Sequence, residues 1–478
     1  MSISFPIHRV VAAAGVPIPA LSLPRSAGQS LRQISSALLE NLMTNRFILA
    51  LKRNPMHDVF RSCAFAAITA FGVPHFALAN EHTIGGSVES LLVYAKERNP
   101  EYASMRHEAA SADERAASAG ALPDPKLRVE LQDLTMSGEQ NATLSPSRVG
   151  KTVYTFMQDV PWFGKRGLQR EIALLEADGA KGRAAGTWAE LASRIKSGYA
   201  QFYYIHQNER LTKEILDLLS RLEKVAQVRY AGGLATQPDA IRAQVELTNL
   251  RTELIALENE KRMTQARLNM LLARPADAAL AAPERLRVLP SSVNLDYAAL
   301  QERVRVRNPQ LFADDARLKA AEKTRDLTYK NRYPDFTFGV APVQVRREIR
   351  EWEVMVEVNI PLQQSSRRAQ EREAEAMLSA ARSRKEATAN QVLSELAENL
   401  SGLDAARRTE AAVTNSLLPQ TELTFKAALA SYENGKVDFA TLLDSQRQIR
   451  LAKQNQIKAQ AEAQTRLAAI ERLLGEEL

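Results

Sequence analysis

The sequence predicts a mostly α-helical α+β protein made of two copies of one unit: helix, β-hairpin, long helix and return helix. Three observations predict it. The 76 residues between Pro161 and Pro238 contain no proline and carry Leu211, Ile215, Leu218, Leu222 and Val225 at alternating spacings of four and three, the seam of one long helix. Ahead of that run, and again ahead of Pro361, stretches alternate apolar and polar side chains, as strands with one greasy and one wet face do. The two occurrences lie roughly 200 residues apart, too far for a solenoid repeat, and so read as a duplicated half.

The matches run the length of both halves. Asn99-Pro100 pairs with Asn308-Pro309, Pro123-Asp124 with Pro334-Asp335, and Val160-Pro161 with Ile360-Pro361. Tyr230-Ala231-Gly232-Gly233 is repeated as Tyr432-Glu433-Asn434-Gly435, and the run from Leu268 to Leu272 as Ile470 to Leu474.

Residues 1–79 read as a leader. Within it, Arg61 precedes an apolar run from Cys63 to Val73, and Ala77-Leu78-Ala79 offers the small residues of a cleavage site. Translation is expected from Met43 or Met56 rather than Met1, with residues 1–42 an extension. Cys63, the sole cysteine, falls in the leader, so the exported chain has no thiol, which suits an oxidising compartment and excludes thiolate metal sites. The rest divides into a first repeat, 80–274, a linker or equatorial segment, 275–296, and a second repeat, 297–478.

In the first repeat, Val88 to Ala121 is Ala-rich helix interrupted at Asn99-Pro100. Leu127, Val129 and Leu131 then alternate with Arg128, Glu130 and Gln132, and a second strand spans Lys151 to Val160. In the second repeat, Phe336, Phe338 and Val340 form one strand, and Trp352, Val354, Val356, Val358 and Ile360 the next. Strands of about ten residues are long enough to cross a bilayer when tilted. Four cannot close a barrel, and lipid does not tolerate open sheet edges. Either the hairpins pack on protein, or two or three chains pool their strands into eight or twelve. Trp162 and Phe163, just past the second strand, and Trp352 stand where interfacial aromatics belong.

The first long helix runs to Gly233, about 100 Å at 1.5 Å per residue. Its return helix, expected from Asp239 to about Ala273 behind a capping box at Thr236, carries two stripes. One is Ile241, Val245, Thr248, Thr252 and Ile255; the other is Leu247, Leu250, Leu254 and Leu257. Two stripes suit a helix flanked on both sides, as in a helical cylinder. The second long helix spans about Arg367 to Tyr432 with a kink expected at Pro419, and its return helix runs from Asp438 to Leu474.

Catalytic signatures are missing from the sequence. It has no GxGxxG, GxxxxGK[ST], HExxH or nucleophile elbow, and His82, His107 and His206 have no second ligand at helical spacing. No catalytic residue, metal site or cofactor is expected, and the protein reads as a non-enzyme. Helix carboxylates stand beside Lys or Arg, as solvated faces would have them. The formal charge of +7 comes mainly from residues 1–79, with seven Lys or Arg against two Asp or Glu. Without a basic block or aromatic platform, nucleic acid is not an expected partner.

The duplication, the strand–strand–Pro–long-helix units and the run Tyr432-Glu433-Asn434-Gly435-Lys436-Val437-Asp438-Phe439-Ala440-Thr441-Leu442-Leu443-Asp444-Ser445-Gln446 together resemble the TolC-like outer-membrane factors of Gram-negative tripartite efflux systems. The resemblance implies a homotrimer with a twelve-strand β-barrel among outer-membrane lipid and a twelve-helix α-barrel across the periplasm. It implies a passive duct, fed by an inner-membrane resistance–nodulation–division pump through a periplasmic adaptor (membrane fusion) protein. The adaptor-docking tip would comprise Gly232, Gly233, Leu234, Tyr432, Gly435, Lys436 and Val437, and the channel gate Asp444 with Thr441. Drug-exporting relatives carry a basic latch residue where this chain has Val437, so the same latch is not expected. Leu122-Pro123-Asp124-Pro125-Lys126-Leu127 and Val160-Pro161-Trp162-Phe163-Gly164-Lys165-Arg166 resemble the heavy-metal, cobalt–zinc–cadmium resistance, branch. Multidrug or other small-molecule cargo is the alternative, and a secreted coiled-coil scaffold is the rival from a different class. A periplasmic adaptor would share the long hairpin but carry only one.

Overall fold

The computed structural model describes residues 84–134, 144–233 and 236–478. The expected leader lies outside them, as does Leu234. Helices α1 (Val88–Arg98) and α2 (Pro100–Ser118) lead to strands β1 (Lys126–Gln132) and β2 (Lys151–Val160). Long helix α3 (Lys165–Ala231) and return helix α4 (Gln237–Leu271) complete the first pass. The second pass repeats it with α5 (Tyr297–Arg307), α6 (Pro309–Lys330), β3 (Asp335–Val345), β4 (Glu348–Asn359) and α7 (Gln364–Ala412), then α8 (Leu418–Glu433) and α9 (Phe439–Leu474). Between α4 and α5 the chain has only a short 3₁₀ turn, Ser292–Leu295.

Each half is locked at its base by the same corner. Asn99 caps α2 by accepting from the Tyr102 amide, and its Nδ2 donates 2.8 Å to the Leu271 carbonyl at the end of α4. Asn308 caps α6 at Leu311 and donates 2.8 Å to the Leu473 carbonyl at the end of α9. Both asparagines are buried, each satisfying an orphan group at two helix termini.

α3 is one uninterrupted helix of 67 residues, about 100 Å long. It packs against α2, α4, α6 and α9. Its contact with α6 depends on Gly182, where a Cβ would lie 2.9 Å from the Phe312 ring and 3.1 Å from Ala313 Cα, so only glycine lets the backbones come this close. The second long helix is split. Pro419 lacks an amide and its ring crowds the carbonyl four residues back, and the helix absorbs this as a π-turn over Val413–Leu417.

The strands form one antiparallel sheet in the order β1-β2-β3-β4. Cross-strand register puts Leu127, Phe156, Val340 and Val354 in one row, and all four are exposed. On the other face Val153, Ala341 and Val343 form one buried cluster. Among the described residues no strand pairs with the outer edge of β1 or of β4. None of the described helices is long and apolar enough to cross a membrane.

Candidate functional site

Helices α2, α3, α6 and α7, with Arg472 from the end of α9, line a groove of about 1400 Å³. Its charges are Arg115, Arg183, Arg317 and Arg472 against Glu176, Glu190, Asp314 and Glu373. Equal numbers of each sign leave this surface polar and without net charge.

Where the sheet meets the helices, Asp335 at the start of β3 gathers the end of β2. Its Oδ1 accepts from the Trp162 amide and from Lys165 Nζ, both at 2.8 Å, and Lys165 also donates to the Tyr333 carbonyl. Trp162 stacks on Tyr333 at 5.1 Å and lies 5.9 Å from Phe336. Phe163 meets Trp162 edge-on at 5.9 Å yet is 81% exposed, and Trp352 is 68% exposed. Trp352 pairs with Pro342, six residues along β3 from Phe336, so the two aromatic levels stand roughly 20 Å apart. Phe338, Val340, Val354 and Val356 lie between them, all exposed.

At the far end the two hairpins turn on Gly233 and Gly435, both left-handed at φ +72° and +69°. Gly232, Gly233, Gly435 and Lys436 are exposed, whereas Val437 is half-buried and packs against the tip core. Tyr432, expected at the docking surface, is instead 3% exposed and packs on Phe439 at a ring distance of 5.5 Å. Burial pushes its hydroxyl pKa up, although the Arg229 charge opposes the shift. Arg229, a residue the sequence did not single out, donates to the Tyr432 and Glu433 carbonyls at 3.0 Å and lies over the Tyr432 ring. It thereby caps α8 from the other half of the chain.

Asp444 and Thr441 are both exposed, but their surroundings differ. The Thr441 amide and hydroxyl both donate to Asp438 at the start of α9. Asp444 lies one turn further on, with Arg447 beside it. Arg447 in turn reaches Glu246 on α4 at 2.6 Å, and Arg450 reaches Glu253 at 2.5 Å. Glu246 and Glu471 correct the reading of helix carboxylates as solvated faces: both are 3% exposed. Glu471 accepts from Lys196 on α3 at 2.8 Å and from both Arg287 Nη atoms, tying the segment between the repeats to two helices. Among the described residues, no group of three or more His, Cys, Asp or Glu is placed to hold a metal.

Residues 91–274 and 300–476 match the sequence model of a family described as outer membrane efflux protein. The cobalt-zinc-cadmium resistance protein CzcC of Cupriavidus metallidurans is 22% identical over 425 residues, 85% of this chain and 97% of that protein. The outer membrane protein VceC of Vibrio cholerae matches with a TM-score of 0.70 at 17% identity, over 82% of this chain and 96% of its own. CusC, whose structures concern folding and transmembrane channel formation, matches with a TM-score of 0.69 at 16% identity, over 81% and 92%.

Proposed function

We propose a function for this chain from one premise: it belongs to the outer membrane efflux protein family. It is an outer-membrane channel of a tripartite efflux system, a TolC-like factor reaching into the periplasm and not an enzyme. Three copies form the working channel, with repeats 80–274 and 297–478 alternating around it and segment 275–296 as a girdle. The observation that carries this reading is the sheet with two unpaired edges and an exposed apolar face. Lipid tolerates no open edge, and twelve pooled strands close a barrel wide enough for a water-filled lumen. Trp162, Phe163 and Trp352 mark its two interfaces. The exposed stripe Ile241, Val245 and Ile255 on α4, opposite buried Leu247, Leu250 and Leu257, is the seam for the next copy.

The glycine tips, with Lys436 and Val437, receive a periplasmic adaptor coupled to an inner-membrane pump. Asp444, repeated three times near the axis, forms a constriction that attracts cations, with Thr441 behind it at the cap of α9. The cargo is heavy-metal cations, in keeping with the cobalt-zinc-cadmium resistance protein it resembles. The test is loss of the gene in its host. Falling tolerance to cobalt, zinc or cadmium is expected. Unchanged metal tolerance with new sensitivity to drugs overturns the metal reading in favour of small-molecule export.

A further inference from the structure

Arg447 stands between two carboxylates of opposite situation. Its Nη1 lies 3.7 Å from the Asp444 carboxylate one turn back on α9, and its Nη2 lies 2.6 Å from Glu246 on α4. The Asp444 side chain is 69% exposed and that of Glu246 only 4%. The shorter contact is a charge-assisted hydrogen bond, whereas the longer one is mere proximity in solvent. Burial also lowers the local dielectric around Glu246, which strengthens its hold on the guanidinium. Burial alone would raise the Glu246 carboxyl, yet the hydrogen bond and charge of Arg447 hold it below the ordinary range. A second pair, Arg450 with Glu253, backed by Gln454 at 3.1 Å, joins the same two helices further from the tip. The spacing of α4 and α9 therefore does not rest on Arg447 alone.

We infer that Glu246, from inside the wall, sets the charge presented by the constriction: by holding Arg447 it keeps the guanidinium from closing on Asp444, which stays only partly compensated toward passing cations. Glu246 is then a positioning residue for cation recognition, acting through Arg447. The inference rests on Asp444 facing the lumen, as proposed above.

The experiment is block of the full-length channel by hexamminecobalt(III) in planar bilayers at low salt, with single-channel conductance recorded alongside. Asp444→Ala tests the underlying reading, and unchanged block in that variant removes both the constriction and this inference. With that variant weakened, Glu246→Gln is expected to weaken block on the order of tenfold, because the freed guanidinium turns to Asp444. The double variant Glu246→Gln/Arg447→Gln is expected to recover wild-type block or exceed it. Glu246 serving only to hold the tip together would raise conductance and would not be repaired by removing its partner. Wild-type block in Glu246→Gln, or no recovery in the double variant, overturns the inference and leaves the Asp444 constriction standing.

Discussion

Tyr230 and Tyr432 hold matching places before the two glycine turns, yet the first is 47% exposed and the second 3%. Asn99 and Asn308 also match, and there the two halves behave alike, each capping one helix and closing on the last turn of another. Asn269 and Glu471 match again and differ. Buried Asn269 donates to the Ala276 and Ala278 carbonyls just after its own helix, whereas Glu471 collects two cations from distant segments. The duplicated plan is thus kept where a half closes on itself. It diverges where one half meets the other: Arg229 of the first half covers Tyr432 of the second, whereas Tyr230 stays 47% exposed among the described residues.

Glu471→Ala is the strongest way to break the comparison, because it strips Arg287 of its carboxylate and leaves buried Lys196 with only the exposed Glu477. A loss of about 3–5 kcal/mol is expected. Asn269→Ala, which removes only neutral hydrogen bonds, should cost about 1–3 kcal/mol. Chemical denaturation of both variants in detergent checks the order, and equal losses would contradict it. The same site gives a pH dependence. Burial works to raise the Glu471 carboxyl, but hydrogen bonds and charges from Arg287 and Lys196 outweigh it and hold the group below its ordinary 4.5. A carboxylate with a depressed folded pKa stabilises above the unfolded pKa, and that stability fades as pH falls through the folded one. The wild type should therefore lose stability below about pH 4.5 more steeply than Glu471→Gln.

At the tips, Tyr432→Ala should destabilise by about 3–5 kcal/mol, as removal of a buried aromatic does. Tyr230→Ala should stay within about 0.5 kcal/mol. Hydrogen exchange localised to α8 and α9 reads the first directly. Smallest is the difference expected between the corners: Asn99→Ala and Asn308→Ala should each cost about 1–2 kcal/mol and agree with each other. A gap of several kcal/mol between them would mean the halves are not equivalent at the base.

The sequence made the periodic features legible. Alternation placed β2 at Lys151–Val160, and the proline-free run became α3. Thr236 and Asp239 form the expected cap, Asp239 accepting from the Thr236 amide and hydroxyl. Pro419 was expected to kink its helix, and the structure spends a π-turn there. Both stripes of α4 were visible, but not that one is buried within the chain and the other left outside. Glu246, Glu471 and Arg229 were illegible for a common reason. Their partners lie roughly 200 residues away or more, and a charged residue on a helix looks solvated until its neighbours are known.

The central claim, that several copies close the sheet which one chain leaves open, is tested most directly by native mass measurement. The chain is extracted from outer membrane in mild detergent, with its strand content followed by circular dichroism. Three copies per particle are expected, dissociating together with loss of strand signal. A stable monomer that keeps its strands would contradict the claim.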